Sequence, residues 1–227
     1  MQLKSLLGVG LICLMLLVQA NAAGETAATY REQGLAYRAV GDLNQAIAAL
    51  ERSVELEPQN LQGLILLGWT QHLAGKGVEA AQVLWRALLQ QPNLTEAANA
   101  LGIVYLVRGE LEVAILLHEW ANLVRPNNEI AHYNLSLSYQ LTAQIPLAIA
   151  HGKIAAELEP QNPHPLISLA VSYWQDQNST AAVSAYKAAL NLDQRYYQPD
   201  FVDQLNQAGF NSSQIAIAKV ILDQLQN

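Results

Sequence analysis

Apolar residues recur along most of this chain at intervals of three and four, which is the spacing of one helix face. Two such stretches follow each other at Ala28–Val40 and Asn44–Glu57, and the Gly41-Asp42 pair between them is a turn signal. The same two stretches return every 34 residues up to residue 196, without insertion. The pattern predicts an all-α chain of repeated helical hairpins with no strand.

Small residues and prolines keep the same 34-residue interval. Small side chains at facing positions allow two helices to approach to about 8 Å, and a proline after the second helix ends it. A period of this length predicts a stack of units, none of which buries its apolar face alone. The four columns are Gly34, Gly68, Gly102, Ser136 and Ala170; Ala46, Ala80, Ala114, Ala148 and Ala182; Ser53, Ala87, Ala121, Ala155 and Ala189; and Pro58, Pro92, Pro126 and Pro160.

Together with a tyrosine column, this signature resembles the tetratricopeptide repeat. The tyrosines are Tyr37, Tyr105, Tyr139 and Tyr173. The resemblance implies a right-handed α-solenoid of five 34-residue helix–turn–helix repeats, whose first helices line a concave groove. The repeats are 27–60, 61–94, 95–128, 129–162 and 163–196. The fifth departs from the family, because Gln177 replaces the turn glycine and Gln194 the proline.

The resemblance also implies a binding site for a protein or peptide segment in that groove. Family members contact their ligands from the first helix of each repeat, and aromatic residues dominate such surfaces. Because Arg31 and Arg38 are seven residues apart, they share a helix face and favour an acidic group in the ligand. The candidate site residues are Arg31, Arg38, Trp69, His72, Asn99, Tyr133, Leu137, Gln140 and Trp174.

The last residues, 197–227, leave the repeat pattern and predict a pair of capping helices. Pro199 suits a first helical turn, and Gly209 suits a helix end. The final helix is expected over Gln214–Gln226, with Gln214 on its polar side. Such a cap would shield the last repeat from solvent.

The first 22 residues have the features of a signal peptide. Lys4 precedes an apolar run from Leu6 to Val18, and Ala20-Asn21-Ala22 is a small-x-small cleavage site. The alternative is a retained membrane anchor at residues 5–20. Because a bilayer span needs about 20 apolar residues, the shorter run favours cleavage and export to a periplasmic, lumenal or secreted location.

The net charge and the motif content of the sequence reduce the number of possible functions further. The chain has a net charge of −7 and no basic run, which argues against nucleic acid as a partner. No metal, phosphate or dinucleotide motif is present, so no cofactor and no enzymatic activity are predicted. His118 and His132 are the one expected pair of neighbouring histidines, which leaves a metal-dependent enzyme as a third interpretation.

The sequence therefore predicts a non-enzymatic protein–protein interaction scaffold in an exported compartment, acting as an assembly or docking factor. The alternative is a membrane-anchored organiser of a membrane complex. The third interpretation, a histidine-based metal-dependent enzyme, belongs to a different class of protein.

Overall fold

The helices of the computed structural model follow the 34-residue period. The structure describes residues 26–226, so the predicted signal peptide or anchor lies outside the described residues. Every regular element in this range is helical, which confirms the predicted all-α fold. Two compact units divide the chain, one up to Gln90 and one from Gln91 onwards.

The first unit contains two helical hairpins. Each hairpin packs a helix of 13 residues against one of 14 residues across a short turn. The side chains of Asp42 and Asn60 accept hydrogen bonds from backbone amides at the starts of the second and third helices, which satisfies donors that the helix leaves open. The helices are α1 (Ala27–Ala39), α2 (Leu43–Leu56), α3 (Leu61–Leu73) and α4 (Gly77–Gln90).

The second unit contains three hairpins and a C-terminal segment, residues 194–226. The hairpin helices are α5 (Thr95–Val107), α6 (Leu111–Val124), α7 (Glu129–Leu141), α8 (Ile145–Leu158), α9 (Pro163–Gln175) and α10 (Ser179–Leu192). In place of a simple pair of capping helices, the C-terminal segment has short helical turns followed by one long helix. Its elements are a 3₁₀ turn (Gln194–Tyr197), α11 (Pro199–Val202), a 3₁₀ helix (Asp203–Ala208) and α12 (Ser212–Gln226).

A small residue opposes a large one inside each of the first three hairpins. A methyl group on Gly34 or Gly68 would lie 2.6 Å from Cγ of Leu50 or Leu84, and one on Gly102 would lie 2.5 Å from the His118 ring. In the fourth hairpin the order is reversed, because Ser136 occupies the small column and Gly152 faces it. The alanine column, from Ala46 to Ala182, is fully buried. The helices of each repeat therefore approach closely because one partner is always small.

His118 is the polar exception in this packing. It occupies the position of Leu50 and Leu84, is fully buried, and both ring nitrogens lack a hydrogen-bond partner. Burial lowers its pKa from 6.5 to about 3, since the charged form loses its hydration. His118 is thus neutral and unsatisfied in the folded protein, which costs stability.

The turn inside each repeat needs one residue with positive φ. Gly41, Gly75 and Gly109 supply it, with φ between 75° and 81°. In the fourth and fifth repeats Ala143 (φ 57°) and Gln177 (φ 59°) take the same conformation. A side chain at positive φ is strained, so these two turns store energy that the glycine turns do not.

Replacing Ala143 or Gln177 with glycine should relieve this strain. Each substitution should raise the free energy of unfolding by about 0.5–1 kcal/mol, because the relief exceeds the added entropy of the unfolded chain. Urea denaturation followed by circular dichroism measures the change. Ala150→Gly, on an exposed helix surface, is the control and should lower stability by about 1 kcal/mol. Loss of stability in both turn variants would contradict the assignment of strain.

Replacing His118 with leucine should stabilise the protein. Leucine already fills this position opposite Gly34 and Gly68, and the change removes two unsatisfied polar atoms, so we expect about 1–2 kcal/mol at pH 7.5. The advantage should grow below pH 6.5 by about 1.4 kcal/mol per pH unit, because the unfolded wild-type histidine binds a proton that the folded one does not. Denaturation at pH 7.5 and 5.5 tests this. An advantage that is absent, or equal at both pH values, would contradict it.

Candidate functional site

The two arginines of the predicted groove do not form a free cationic pair. Arg31 Nη1 lies 2.7 Å from Glu57 Oε2 and 3.3 Å from Ser53 Oγ, so its charge is used inside the first repeat. Arg38 is half-buried near the end of α1. The expectation that both residues receive an acidic ligand group is corrected for Arg31, whose charge is already paired with a carboxylate.

Trp69 and His72 form a pair of rings in tilted contact on α3, which we call the first-unit platform. Their ring centroids are 5.1 Å apart with an interplanar angle of 36°, and both residues are partly exposed. Burial lowers the pKa of His72, so its ring is neutral at physiological pH. A partly exposed tryptophan held by a neighbouring ring is a suitable anchor for an apolar group of a partner.

Asn99 has a structural role that the sequence analysis did not predict. Its Nδ2 donates to Asn128 Oδ1 at 3.0 Å, and Asn128 Nδ2 donates back to Asn99 Oδ1 at 3.3 Å. Asn128 Oδ1 also accepts from the amide of Ala131 and so caps α7. Because both asparagines are buried, Asn99 holds the residue that caps the first helix of the fourth repeat and does not face a partner.

The C-terminal segment covers the first helix of the fourth repeat. Gln214 Nε2 donates to the Leu137 carbonyl oxygen at 3.1 Å and to Gln140 Oε1 at 2.7 Å. Leu137 and Gln140 are therefore only 0% and 3% exposed. Gln140 Nε2 in turn lies 2.8 Å from the Ser168 carbonyl oxygen and from Ser172 Oγ. The expectation that Leu137 and Gln140 are open to a partner is wrong, because the chain itself occupies their surface.

Tyr133 is held by the same segment. Its hydroxyl donates to the Ala208 carbonyl oxygen at 2.6 Å, and its ring lies 6.3 Å from that of Phe210. Burial raises the pKa of Tyr133 well above 10. Trp174 is partly buried and packs against the core of the second unit. Tyr133 thus anchors the C-terminal segment, and its hydroxyl is not free for a ligand.

Gln214 was predicted to lie on the polar side of the final helix, and the structure places it fully inside. A capping box explains how it is held: Asn211 Oδ1 accepts from the Gln214 amide at 3.0 Å, and Gln214 Oε1 accepts from the Asn211 amide at 2.9 Å. The Asn-x-x-Gln spacing was the available signal. It indicates the helix start, but it does not indicate what the remaining amide hydrogens bind.

A second surface feature was missed by the sequence analysis: a cleft between α6 and α8, the second helices of the third and fourth repeats. We call it the second-helix cleft. Its volume is about 410 Å³, and it is lined by Leu116, Glu119, Trp120, Asn122, Leu123 and His151. Comparing the outward positions of the second helices, repeat by repeat, would have found it, because only the third repeat has three large apolar residues there.

Two of the lining residues, His151 and Glu119, are held by hydrogen bonds to His132 and Tyr139. His132 Nδ1 lies 2.8 Å from His151 Nδ1, and His132 Nε2 lies 3.0 Å from the Pro126 carbonyl oxygen. The Tyr139 hydroxyl donates a short hydrogen bond to Glu119. Burial, and then the nearby His132, lower the pKa of His151, while Glu119 opposes that shift. His132 therefore pairs with His151, and the expected pairing of His118 with His132 is wrong.

In the described range, 26–226, no group of three or more histidine, cysteine, aspartate or glutamate residues is arranged to hold a metal ion. Within the same residues, no helix is long and apolar enough to cross a membrane.

Comparisons with known proteins agree with the repeat architecture. Family models described as tetratricopeptide repeat match residues 37–103 and 164–196. Among solved structures, the protein MamA aligns at 25% identity and a TM-score of 0.64, over 76% of this chain and 94% of its own. MamA from Desulfovibrio magneticus RS-1 aligns at 21% identity and a TM-score of 0.67, over 76% and 97%. No curated protein matches significantly.

One of the solved structures that align with this chain is itself described as a tetratricopeptide repeat protein. TTC0263 from Thermus thermophilus aligns at 24% identity and a TM-score of 0.63, covering 74% of this chain and 92% of its own. At this level of identity the likeness shows the fold alone. The family models, this fold and the buried small-residue columns agree, and the chain belongs to the tetratricopeptide repeat family.

Proposed function

We propose that this protein is a non-enzymatic interaction scaffold in an exported compartment, where it acts as an assembly or docking factor. The tetratricopeptide repeats support a role in protein–protein interaction. The observation that carries the proposal is the first-unit platform, in which the Trp69 and His72 rings are in contact and stay partly exposed. Aromatic residues of this kind carry most of the binding energy in protein interfaces.

The partner segment binds the first unit through an apolar or aromatic group placed on this platform. The neighbouring α1 also exposes Leu35 and Tyr37, at 37% and 40%, so α1 presents further apolar surface to a partner. The corresponding positions of the fourth repeat contribute less, since the C-terminal segment already covers Leu137 and Gln140. Partner binding is therefore concentrated in the first unit.

Export rests on the leader, with its single lysine, apolar run and Ala20-Asn21-Ala22 site. A retained anchor would instead place the same scaffold at a membrane. A cleaved leader and a retained anchor predict different first residues for the mature protein, so N-terminal sequencing tests export separately from partner binding.

Trp69→Ala should release the partner. The full chain, tagged at its C-terminus and expressed in its own host, is used to capture co-purifying proteins, and a captured partner is then titrated against purified variants. We expect affinity to fall by about 30-fold or more, the equivalent of about 2 kcal/mol for a central anchor. Val78→Ala, an exposed apolar change in the same repeat, should have little effect. Undiminished affinity of a folded Trp69→Ala protein would contradict the platform as the site.

The leader should be cleaved after Ala22, so that the mature protein begins at Ala23. The short apolar run and the small residues around the site give this expectation. N-terminal sequencing of the protein recovered from its host measures it. Protein that retains Met1 or its neighbours and sediments with washed membranes would contradict export and support the anchored alternative.

A further inference from the structure

The second-helix cleft exposes three large apolar side chains, whereas the corresponding positions of each other repeat hold at most one. Leu116, Trp120 and Leu123 are 68%, 42% and 73% exposed, and their spacing of four and three residues puts them on one face of α6. Large exposed apolar patches on soluble proteins are typical of interaction surfaces. The corresponding residues are Ala48, Arg52 and Glu55; Gln82, Arg86 and Leu89; Ala150, Ile154 and Glu157; and Ser184, Ala188 and Asn191.

Trp120 is held in place before any partner arrives. Its indole Nε1 donates to the Pro92 carbonyl oxygen at 2.7 Å. The polar atom of the side chain is therefore satisfied, and the remaining ring surface stays available at the cleft. An aromatic ring fixed in this way loses little conformational entropy on binding.

Two polar groups of the cleft accept hydrogen bonds. Glu119 supplies a carboxylate, positioned by the Tyr139 hydroxyl. His151 supplies a ring nitrogen. The cleft therefore combines a negative charge with apolar walls.

The protonation of the histidine pair follows from its partners. The Pro126 carbonyl oxygen can only accept, so His132 Nε2 carries a proton and, in the neutral ring, His132 Nδ1 is an acceptor. His151 Nδ1 must then donate to it across 2.8 Å. This leaves Nε2 of the neutral His151 as a lone-pair acceptor, with no hydrogen bond to any described residue.

We propose that the second-helix cleft binds a basic amphipathic segment of a partner protein. A lysine or arginine side chain of that segment donates to Glu119 and His151 Nε2, and its apolar residues pack on Leu116, Trp120 and Leu123. A carboxylate and a ring acceptor in a chain of net charge −7 match a cationic donor and oppose an anionic one. Trp120 adds attraction to a cation placed over its ring.

A helical partner fits the dimensions of this surface. Residues 116 to 123 span about 10 Å along α6, which corresponds to two turns of an amphipathic helix lying beside it. A metal ion is the competing occupant, since carboxylate, amide oxygen and imidazole can all be ligands. The cleft offers one carboxylate and one histidine within the described residues, and it has apolar walls, so the organic cation is the better match.

Peptide binding to the purified full chain tests the proposal. The probe is a fluorescein-labelled 14-residue peptide of leucine and lysine with helical periodicity, followed by fluorescence anisotropy at low salt. Its matched control is the same peptide with every lysine acetylated, which keeps the apolar face and removes the charge. We expect the lysine peptide to bind at least tenfold more tightly than the acetylated one, because the cleft recognises the cation.

Substitutions locate the binding. Glu119→Gln, Trp120→Ala and Leu123→Ser should each weaken the lysine peptide at least fivefold, with unchanged far-ultraviolet circular dichroism. Glu157→Gln and Val220→Ala remove an exposed acid and an exposed apolar residue elsewhere in the second unit, and should change affinity less than twofold. Trp69→Ala should also have no effect, since this site is independent of the first-unit platform.

Three outcomes would overturn the proposal. One is equal binding of the lysine and acetylated peptides. Another is affinity in the Glu119, Trp120 and Leu123 variants that stays within twofold of the wild type. The third combines two results: the protein does not bind the peptide, and calorimetry shows that it binds Zn²⁺ and loses this binding in His151→Ala. That result would assign the cleft to a metal.

Discussion

The close approach of the two helices within each repeat is the constraint on which the rest of this structure depends. It is met by pairing a residue without a side chain with a large one, as Gly34 and Gly68 do with the leucines opposite them. The fourth repeat meets the same constraint in reverse, with Ser136 in the small column and Gly152 facing it. What is maintained is a small residue in each pair, which lets the two helices pack closely at native density. His118 packs against Gly102 in this way, but the hydrogen bonds of its ring are not satisfied, so the third repeat keeps its packing and loses stability.

Regular features of the fold could be predicted from the sequence because they depend on neighbours at fixed distances. The helix pairs, the buried alanine column and the turns follow from the period, and the observed helices of the first repeat lie within one residue of the predicted ones. The candidate site could not be predicted to the same degree. Whether Leu137 and Gln140 are exposed depends on a segment more than 70 residues later, and no local pattern shows that Gln214 reaches them. Asn99 likewise pairs with Asn128, which lies 29 residues later.

The contact between the C-terminal segment and the fourth repeat also limits where a partner can bind. Gln214 forms hydrogen bonds to a backbone oxygen and a side-chain amide of the fourth repeat, as a bound peptide would, and Tyr133 holds the Ala208 carbonyl oxygen nearby. The fully buried Leu205, Ile221 and Leu222 belong to the same segment, so it forms part of the core and is not a loosely attached tail. An external partner must therefore use other surfaces. The first-unit platform and the second-helix cleft both combine partly exposed aromatic surface with contacts that hold the ring.

These two surfaces select for different chemistry, and histidine protonation contributes to both. The pKa of His72 is lowered by burial, so the platform presents a neutral ring beside Trp69 at physiological pH. The pKa of His151 is lowered by burial and then by His132, against the opposing effect of Glu119, so the cleft presents a lone pair and not a positive charge. A protonated His151 would repel a cationic group and would compete for Glu119. The hydrogen bonds of His132 and Tyr139 thus keep this surface acidic and accepting, which suits recognition of a basic partner more than acid–base catalysis.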